Sequence, residues 1–322
     1  MKAAAYHRTG PPEVLEYIDV PDPVCRPGGV VIQVEAVSIE GGDTLNRAGG
    51  ALTADPHIVG YQCGGTVIEV GAKAAEDGYE VGQRVVATMA SGSHAERVAV
   101  PAASTWPVPD GADLVRAACV PVAFGTADDC LFEFGHLQEG ETVLVQAGAG
   151  GVGLAAIQLA KRAGATVFAT ASSDDKLRQL EHFKIDHGIN YRETDAAAAA
   201  RELTGGKGVD LVVDPVGGRT LAGSLRALAY RGRCITVGNA GRDPQPVDAS
   251  SLMMGNQSLT GVFLGAEMAT ERVRAMIGRH IDDVAAGRLE VVIDSTFPLA
   301  EAAAAHAHIE SRQAVGRVVL IP

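Results

Sequence analysis

The residues best able to do chemistry are Gly148-Ala149-Gly150-Gly151-Val152-Gly153, which follow the apolar run Val143-Leu144-Val145 through Gln146 and Ala147. Their spacing is G-x-G-x-x-G, and Leu154 to Arg162 continue with helical periodicity. Small side chains let the backbone approach a pyrophosphate, while the N–H groups and positive dipole end of the following helix hold its charge. Many glycine-rich turns bind nothing, but this one has the strand before it and the helix after it that the chemistry requires. Gly148, Ala149, Gly150, Gly151, Val152 and Gly153 are therefore candidate dinucleotide contacts.

A NAD site usually places Asp or Glu about 20 residues past this motif, where it accepts hydrogen bonds from the ribose 2′-OH. In TVFATAS (166–172) that place falls to Ala171, with Ser172, Ser173 and Lys176 behind it. A carboxylate would repel the 2′-phosphate of NADP, whereas hydroxyls and an ammonium bind it. Ser172 and Lys176 therefore point to NADPH. Ser172 is also placed to cap a helix beginning near Asp174, and one hydroxyl can do both.

Other reactive side chains are dispersed. The five cysteines, Cys25, Cys63, Cys119, Cys130 and Cys234, form neither a CxxC nor a Cys/His cluster with metal-ligand spacing. Buried reduced thiols are the expectation. His94 lies in a β-rich run with no triad-like partners and reads as structural.

The elements that must position these groups fall into two parts. Up to about residue 120, short β-rich runs broken by Gly and Pro (30–39, 64–72, 82–90, 94–102) predict a compact β domain. From residue 123, strands at 142–148, 166–172, 209–217, 234–239 and 258–264 alternate with helical stretches at 152–164, 174–183 and 224–232. That rhythm predicts a parallel sheet with crossover helices. The segment 271–289 reads as an amphipathic helix, and the tail GRVVLIP (316–322) as a strand able to return to the first domain. The alanine-rich runs at 196–200 and 302–305 suit helices and carry no function.

A length of 322 residues accommodates two domains, and 47% apolar with 20% charged residues describes a well-buried globular chain. The net charge of −12 disfavours nucleic acid and anionic membranes as partners. The N-terminus lacks an apolar signal region, and no apolar run reaches the roughly 18 residues of a membrane span, so cytoplasmic residence is expected.

Taken together, several stretches resemble the zinc-free quinone-oxidoreductase branch of the medium-chain dehydrogenase/reductase superfamily, and the resemblance covers essentially the whole chain. They are Gly64 to Val67 with Val70-Gly71, Gly82 to Val85, Ser93 to Glu96, Gln146 to Gly153, Ala171 to Lys176, Ile189 to Arg192, Asp214 to Gly218, Ser311-Arg312 and Gly316 to Val318. The resemblance implies an α/β protein with two domains. A GroES-like catalytic β domain (1–122 and 267–322) would pack against a Rossmann domain, a doubly wound parallel sheet (123–266), with the active cleft between them. By motif position it implies Tyr191 as a second 2′-phosphate contact, Thr126 as a nicotinamide-side contact, and Val216, Gly238 and Asn239 as part of the cofactor bed. Each is also compatible with ordinary packing or turn chemistry.

Departures from relatives narrow the chemistry. Zinc-dependent members hold catalytic zinc through a C-G-x-D-like and a G-H-E-like turn; here the text is Glu40-Gly41-Gly42-Asp43 and Gly60-Tyr61-Gln62, read with Gly41 and Tyr61 where ligands would stand. The four-Cys structural-zinc lobe is missing too, so no metal is expected. Typical quinone-oxidoreductase members also carry an acidic residue where Gln62 stands. Without a Lewis acid an isolated ketone is hard to reduce, whereas a quinone or α,β-unsaturated carbonyl spreads the developing charge onto oxygen, where hydrogen-bond donors suffice.

Tyr61 and Asn46 are the candidate catalytic residues, with Asp43 fixing the turn. Tyr61 as donor and Tyr61 as pocket wall both remain open. The proton-donating Tyr of some enoyl-reductase relatives is replaced by Gly49-Gly50-Ala51-Leu52. The expected function is NADPH-dependent reduction of a small quinone or enone. The alternatives are an enoyl-thioester or biosynthetic alkene reductase, and an NADPH-binding structural or regulatory protein with little turnover. The apolar strand SLTGVFL (258–264) predicts a homodimer formed by sheet extension.

Overall fold

The computed structural model describes all residues, 1–322, and the chain divides into two compact units, Met1–Val122 with Ala266–Pro322 and Ala123–Gly265.

The first unit is built on mainly antiparallel β structure. Strand Gly29–Ser38 is its axis, pairing with Gln62–Val70, with Arg97–Pro101 and, at its end, with Arg317–Ile321. Val30, Ile32 and Val34 of this strand join Val67, Val85, Val98 and Leu320 in one buried cluster. Each such side chain contributes about 1.5–3 kcal/mol relative to exposure. Gly65 lies opposite Val34, and a Cβ there would stand 2.0 Å from the Gln33 carbonyl oxygen, so only glycine lets the strands close. The apolar tail does return to residues near the N-terminus. His94 is packed away from solvent with its Nε2 at 3.0 Å from His306 Nε2, and burial drives its pKa down to about 3, which keeps it a neutral packing residue.

The second unit is a six-stranded parallel sheet in the order His187–Asn190, Thr166–Ala171, Thr142–Val145, Val209–Asp214, Leu228–Thr236, Ser258–Gly261. Counted along the chain this is the doubly wound order 3-2-1-4-5-6, which binds ligands at the carboxyl ends of the strands where the order reverses. The reversal lies between Thr142–Val145 and Val209–Asp214. Helices Gly151–Arg162, Asp174–Glu181, Ala196–Leu203 and Gly218–Ala227 make crossovers. The helical reading of 224–232 holds only to Ala227, because Leu228 already pairs in parallel with Val209 and strand pairing overrides local propensity.

Candidate active site

In the second unit, the strand Thr142–Val145 runs into Gln146 and then Ala147, which adopts the left-handed conformation at φ +51°. The amides of Ala147, Gly148 and Gly150 are directed inward, onto Thr170 Oγ1 at 3.1 Å, the Thr170 carbonyl at 2.8 Å and the Ala147 carbonyl at 2.9 Å. The amides of Ala149, Gly151, Val152 and Gly153 have no acceptor within the protein, and Gly150 caps the helix Gly151–Arg162 without any side-chain bond. That is the arrangement a bound pyrophosphate requires: unclaimed N–H groups at a helix start. A Cβ at Gly153 would lie 2.4 Å from the Ala147 carbonyl oxygen, so this glycine lets the helix seat against the turn.

At the end of the neighbouring strand, Ala171 accepts the Tyr191 amide at 3.1 Å, which brings Tyr191 beside Ser172. The cap of helix Asp174–Glu181 is Ser173, whose Oγ accepts from the Lys176 amide; Ser172 has no capping role and its hydroxyl remains open to a ligand. Lys176 stands in the first turn of that helix. Val216, Gly238 and Asn239 also come together: Gly241 N donates to the Val216 carbonyl at 2.9 Å, Ala240 N to the Pro215 carbonyl at 3.1 Å, and Asn239 Oδ1 would lie 2.8 Å from a Cβ on Gly217. Thr126, buried on the helix Val120–Asp128, has no hydrogen bond to any of these turns. The residues present thus fit a dinucleotide.

In the first unit, Tyr61 follows strand His57–Ile58 and Asn46 lies on helix Gly41–Gly49. The tyrosine ring lies over Gly42, where a Cβ would stand 2.5 Å from it. Asn46 Nδ2 donates to the Tyr61 hydroxyl at 2.7 Å. Because Asn46 occupies an oxygen lone pair, the phenolic O–H stays available to donate elsewhere. Burial, with the Asp43 charge adding to it, pushes Tyr61 up to about 12, so the group is a neutral donor throughout the physiological range.

Beneath this pair lies a buried network that the sequence reading had not assembled. Glu40 is ion-paired with Arg317 and accepts a hydrogen bond from Gln62 Nε2. Gln62 Oε1 in turn accepts the Val122 amide at 2.9 Å. Arg317 also donates to Ser38 Oγ at 2.7 Å and to the Ile39 carbonyl at 2.8 Å. Burial raises the Glu40 carboxyl above its ordinary value against the pull of Arg317; for Arg317 burial is the largest single influence and lowers it, but Glu40, Cys119 and Asp43 together outweigh it and keep the guanidinium charged. Asp43 Oδ2 accepts the Glu40 amide at 2.8 Å, fixing the turn, and burial lifts its own carboxyl well above the carboxylate range.

Counted on the C-G-x-D pattern, the ligating place falls to Glu40 rather than to Gly41. That carboxylate is committed to Arg317, and no group of three or more His, Cys, Asp or Glu side chains is arranged to hold a metal. The donor set does not fit a zinc ion.

Two family models match the chain, the alcohol dehydrogenase GroES-like domain over residues 26–110 and the zinc-binding dehydrogenase family over residues 151–279. The 2-haloacrylate reductase of a Burkholderia species is 33% identical, the match covering 99% of this chain and 98% of that protein. The quinone oxidoreductase of Pseudomonas aeruginosa is 34% identical over 99% of this chain and 98% of that protein. Among solved structures, the quinone oxidoreductase of Escherichia coli complexed with NADPH superimposes with a TM-score of 0.94 at 28% identity, over 100% of both chains. The chain belongs to the quinone-oxidoreductase branch of the medium-chain dehydrogenase/reductase superfamily.

Proposed function

We propose that the protein is an NADPH-dependent reductase of quinones and α,β-unsaturated carbonyl compounds. The observation that carries this reading is the row of unclaimed amides at Ala149, Gly151, Val152 and Gly153, next to a strand end that offers Ser172, Lys176 and Tyr191 in place of a carboxylate. NADPH, when bound, supplies a hydride. The turn Gly148 to Gly153 would hold its pyrophosphate through the amides of Ala149, Gly151, Val152 and Gly153, Ser172, Lys176 and Tyr191 would hold its 2′-phosphate, and Val216, Gly238, Asn239 and Thr126 would line the rest of its bed. Tyr61, oriented by Asn46, donates its O–H to the carbonyl oxygen of the acceptor as charge develops there. The names of two relatives support a conjugated acceptor: quinones are conjugated carbonyls and haloacrylates are electron-poor alkenes.

The test is NADPH oxidation, in the presence of a chelator, across a panel of quinones, enones and acyl thioesters. Turnover is expected with quinones or enones, and Tyr61→Phe should lower kcat by about 100-fold, the loss typical of one preorganised donor. A phenylalanine variant with wild-type turnover would show Tyr61 to be only a wall of the pocket. Tight NADPH binding with no oxidation across the panel would replace the enzyme reading with a structural or regulatory one.

We also propose a homodimer. Ser258–Gly261 is an edge strand, shorter than the expected 258–264; the exposed Phe263 follows it, Tyr230 lies on the adjoining strand Leu228–Thr236, and Met253 and Met254 lie on the segment Ala249–Gly255 before it. Light scattering at micromolar concentration should give twice the chain mass; a monomer there refutes the assignment. No helix is long and apolar enough to cross a membrane, and five free cysteines suit the reducing cytoplasm as the residence.

A further inference from the structure

A continuous chain of buried polar side chains runs beneath the carboxyl ends of three strands in the second unit. Asp214 Oδ1 accepts the amides of Val216 at 2.8 Å and Gly217 at 2.9 Å, and its Oδ2 accepts the Ser224 hydroxyl at 2.7 Å. Ser224 Oγ accepts Gln146 Nε2 at 3.1 Å, Gln146 Oε1 accepts the Thr170 hydroxyl at 2.9 Å, and Thr170 Oγ1 accepts the Ala147 amide at 3.1 Å. Gln146, Thr170, Asp214 and Ser224 are all buried. Each hydroxyl donates once and accepts once, so the chain has a single direction and no orphaned group along it.

Both ends of this chain finish on backbone amides of ligand-bed turns. Ala147 is a non-glycine residue in left-handed conformation, which needs external support to persist. Thr170 holds it from two sides, taking the Ala147 amide on its hydroxyl and the Gly148 amide on its carbonyl. Because those two amides face inward, the amides that remain outward are those of Ala149 and of the first helical turn. At the other end Asp214 orders the Val216–Gly217 turn in the same way.

We infer that Thr170, Gln146, Ser224 and Asp214 are positioning residues that set which amides of the glycine-rich turn are offered to the pyrophosphate, and that they lock this turn to the Val216–Gly217 turn. The inference rests on the dinucleotide reading above. The four side chains are buried and bonded to one another and to the amides of the two turns, so they act through those turns. Ligands that engage the pyrophosphate turn should feel its loss, and ligands that engage only Ser172, Lys176 and Tyr191 should not.

Thr170→Val removes the hydroxyl and keeps the shape, and Thr170→Ser restores the hydroxyl. Dissociation constants are measured for NADPH and for adenosine 2′-monophosphate, which lacks the pyrophosphate. Thr170→Val should weaken NADPH about tenfold, the equivalent of one lost hydrogen bond, and change adenosine 2′-monophosphate less than about twofold. Thr170→Ser should return NADPH affinity to near the wild-type value. Ser224→Ala, which breaks the chain remote from the turn, should reproduce the same pattern at smaller size and carries the test if Thr170→Val does not fold. Equal weakening of both ligands, or unchanged NADPH affinity in both folded variants, overturns the inference. Failure of the wild-type protein to bind NADPH overturns the dinucleotide reading itself, before any variant is compared.

Discussion

Arg317→Met should lower the unfolding free energy by about 3–5 kcal/mol, because it leaves the Glu40 carboxylate buried without its counter-charge. Arg317 is itself 7% exposed, and its removal also withdraws the donors to Ser38 and Ile39. The loss should depend on pH with a defined sign. In the variant, burial keeps the folded-state pKa of Glu40 above its ordinary value of 4.5, so the folded chain binds a proton that the unfolded chain has released. Destabilisation is therefore greatest at and above neutral pH and shrinks as the pH falls towards that ordinary value. The double variant Arg317→Met with Glu40→Gln should recover most of the stability, since no charge is left unpaired. Urea midpoints at neutral and mildly acidic pH test this. A single variant within about 1 kcal/mol of wild type would mean that the pair is not the anchor described.

Cofactor choice should shift by at least about tenfold on single substitutions at the end of strand Thr166–Ala171, since a charged hydrogen bond contributes roughly 1.5–3 kcal/mol. Lys176→Ala should raise the Michaelis constant for NADPH and leave that for NADH little changed. Introducing a carboxylate should favour NADH by repelling the 2′-phosphate and accepting from the ribose. The structure alters where that carboxylate belongs. Ala171 is 2% exposed, so an aspartate there would be buried without partners, whereas Ser172 is half-buried with its hydroxyl open to a ligand. Ser172→Asp is the variant expected to invert the preference without unfolding the protein. Equal efficiency of wild-type protein with NADH and NADPH, or equal weakening of both by Lys176→Ala, would refute the assignment of this strand end.

The glycine-rich turn was legible because its signal is local: glycine spacing, an apolar run before it and helical periodicity after it fall within some twenty residues. The parallel sheet followed from the repetition of that unit. The division of 224–232 between a helix and a strand was not legible, because the pairing of Leu228 with Val209 is a tertiary event. Neither was the Glu40–Arg317 pair, whose members lie 277 residues apart. The available hint was a single charge bordering each of two apolar strands, Glu40 after Val37-Ser38-Ile39 and Arg317 before Val318-Val319-Leu320. Gln146, Thr170 and Ser224 read as neutral polar residues of no special spacing, and only the strand order brings them into one line.

The discontinuity of the first unit has a consequence for the chain as it leaves the ribosome. Strand Gly29–Ser38 emerges before the second unit, but Arg317–Ile321, its partner in the sheet, is made only after the whole of that unit. Residues 123–265 form a self-contained sheet whose strands can all pair before then. The order of completion is therefore inverted relative to the order of synthesis: the second unit has all its strands before the first unit, which starts ahead of it in the sequence, has its own. Until Arg317 arrives, Glu40 has no counter-charge, and a segment ending in an unpaired carboxylate resists premature burial. A chain that has not yet reached Arg317 therefore holds every strand of its nucleotide-binding sheet but lacks the counter-charge for Glu40, the residue that caps the helix carrying Asp43 and Asn46.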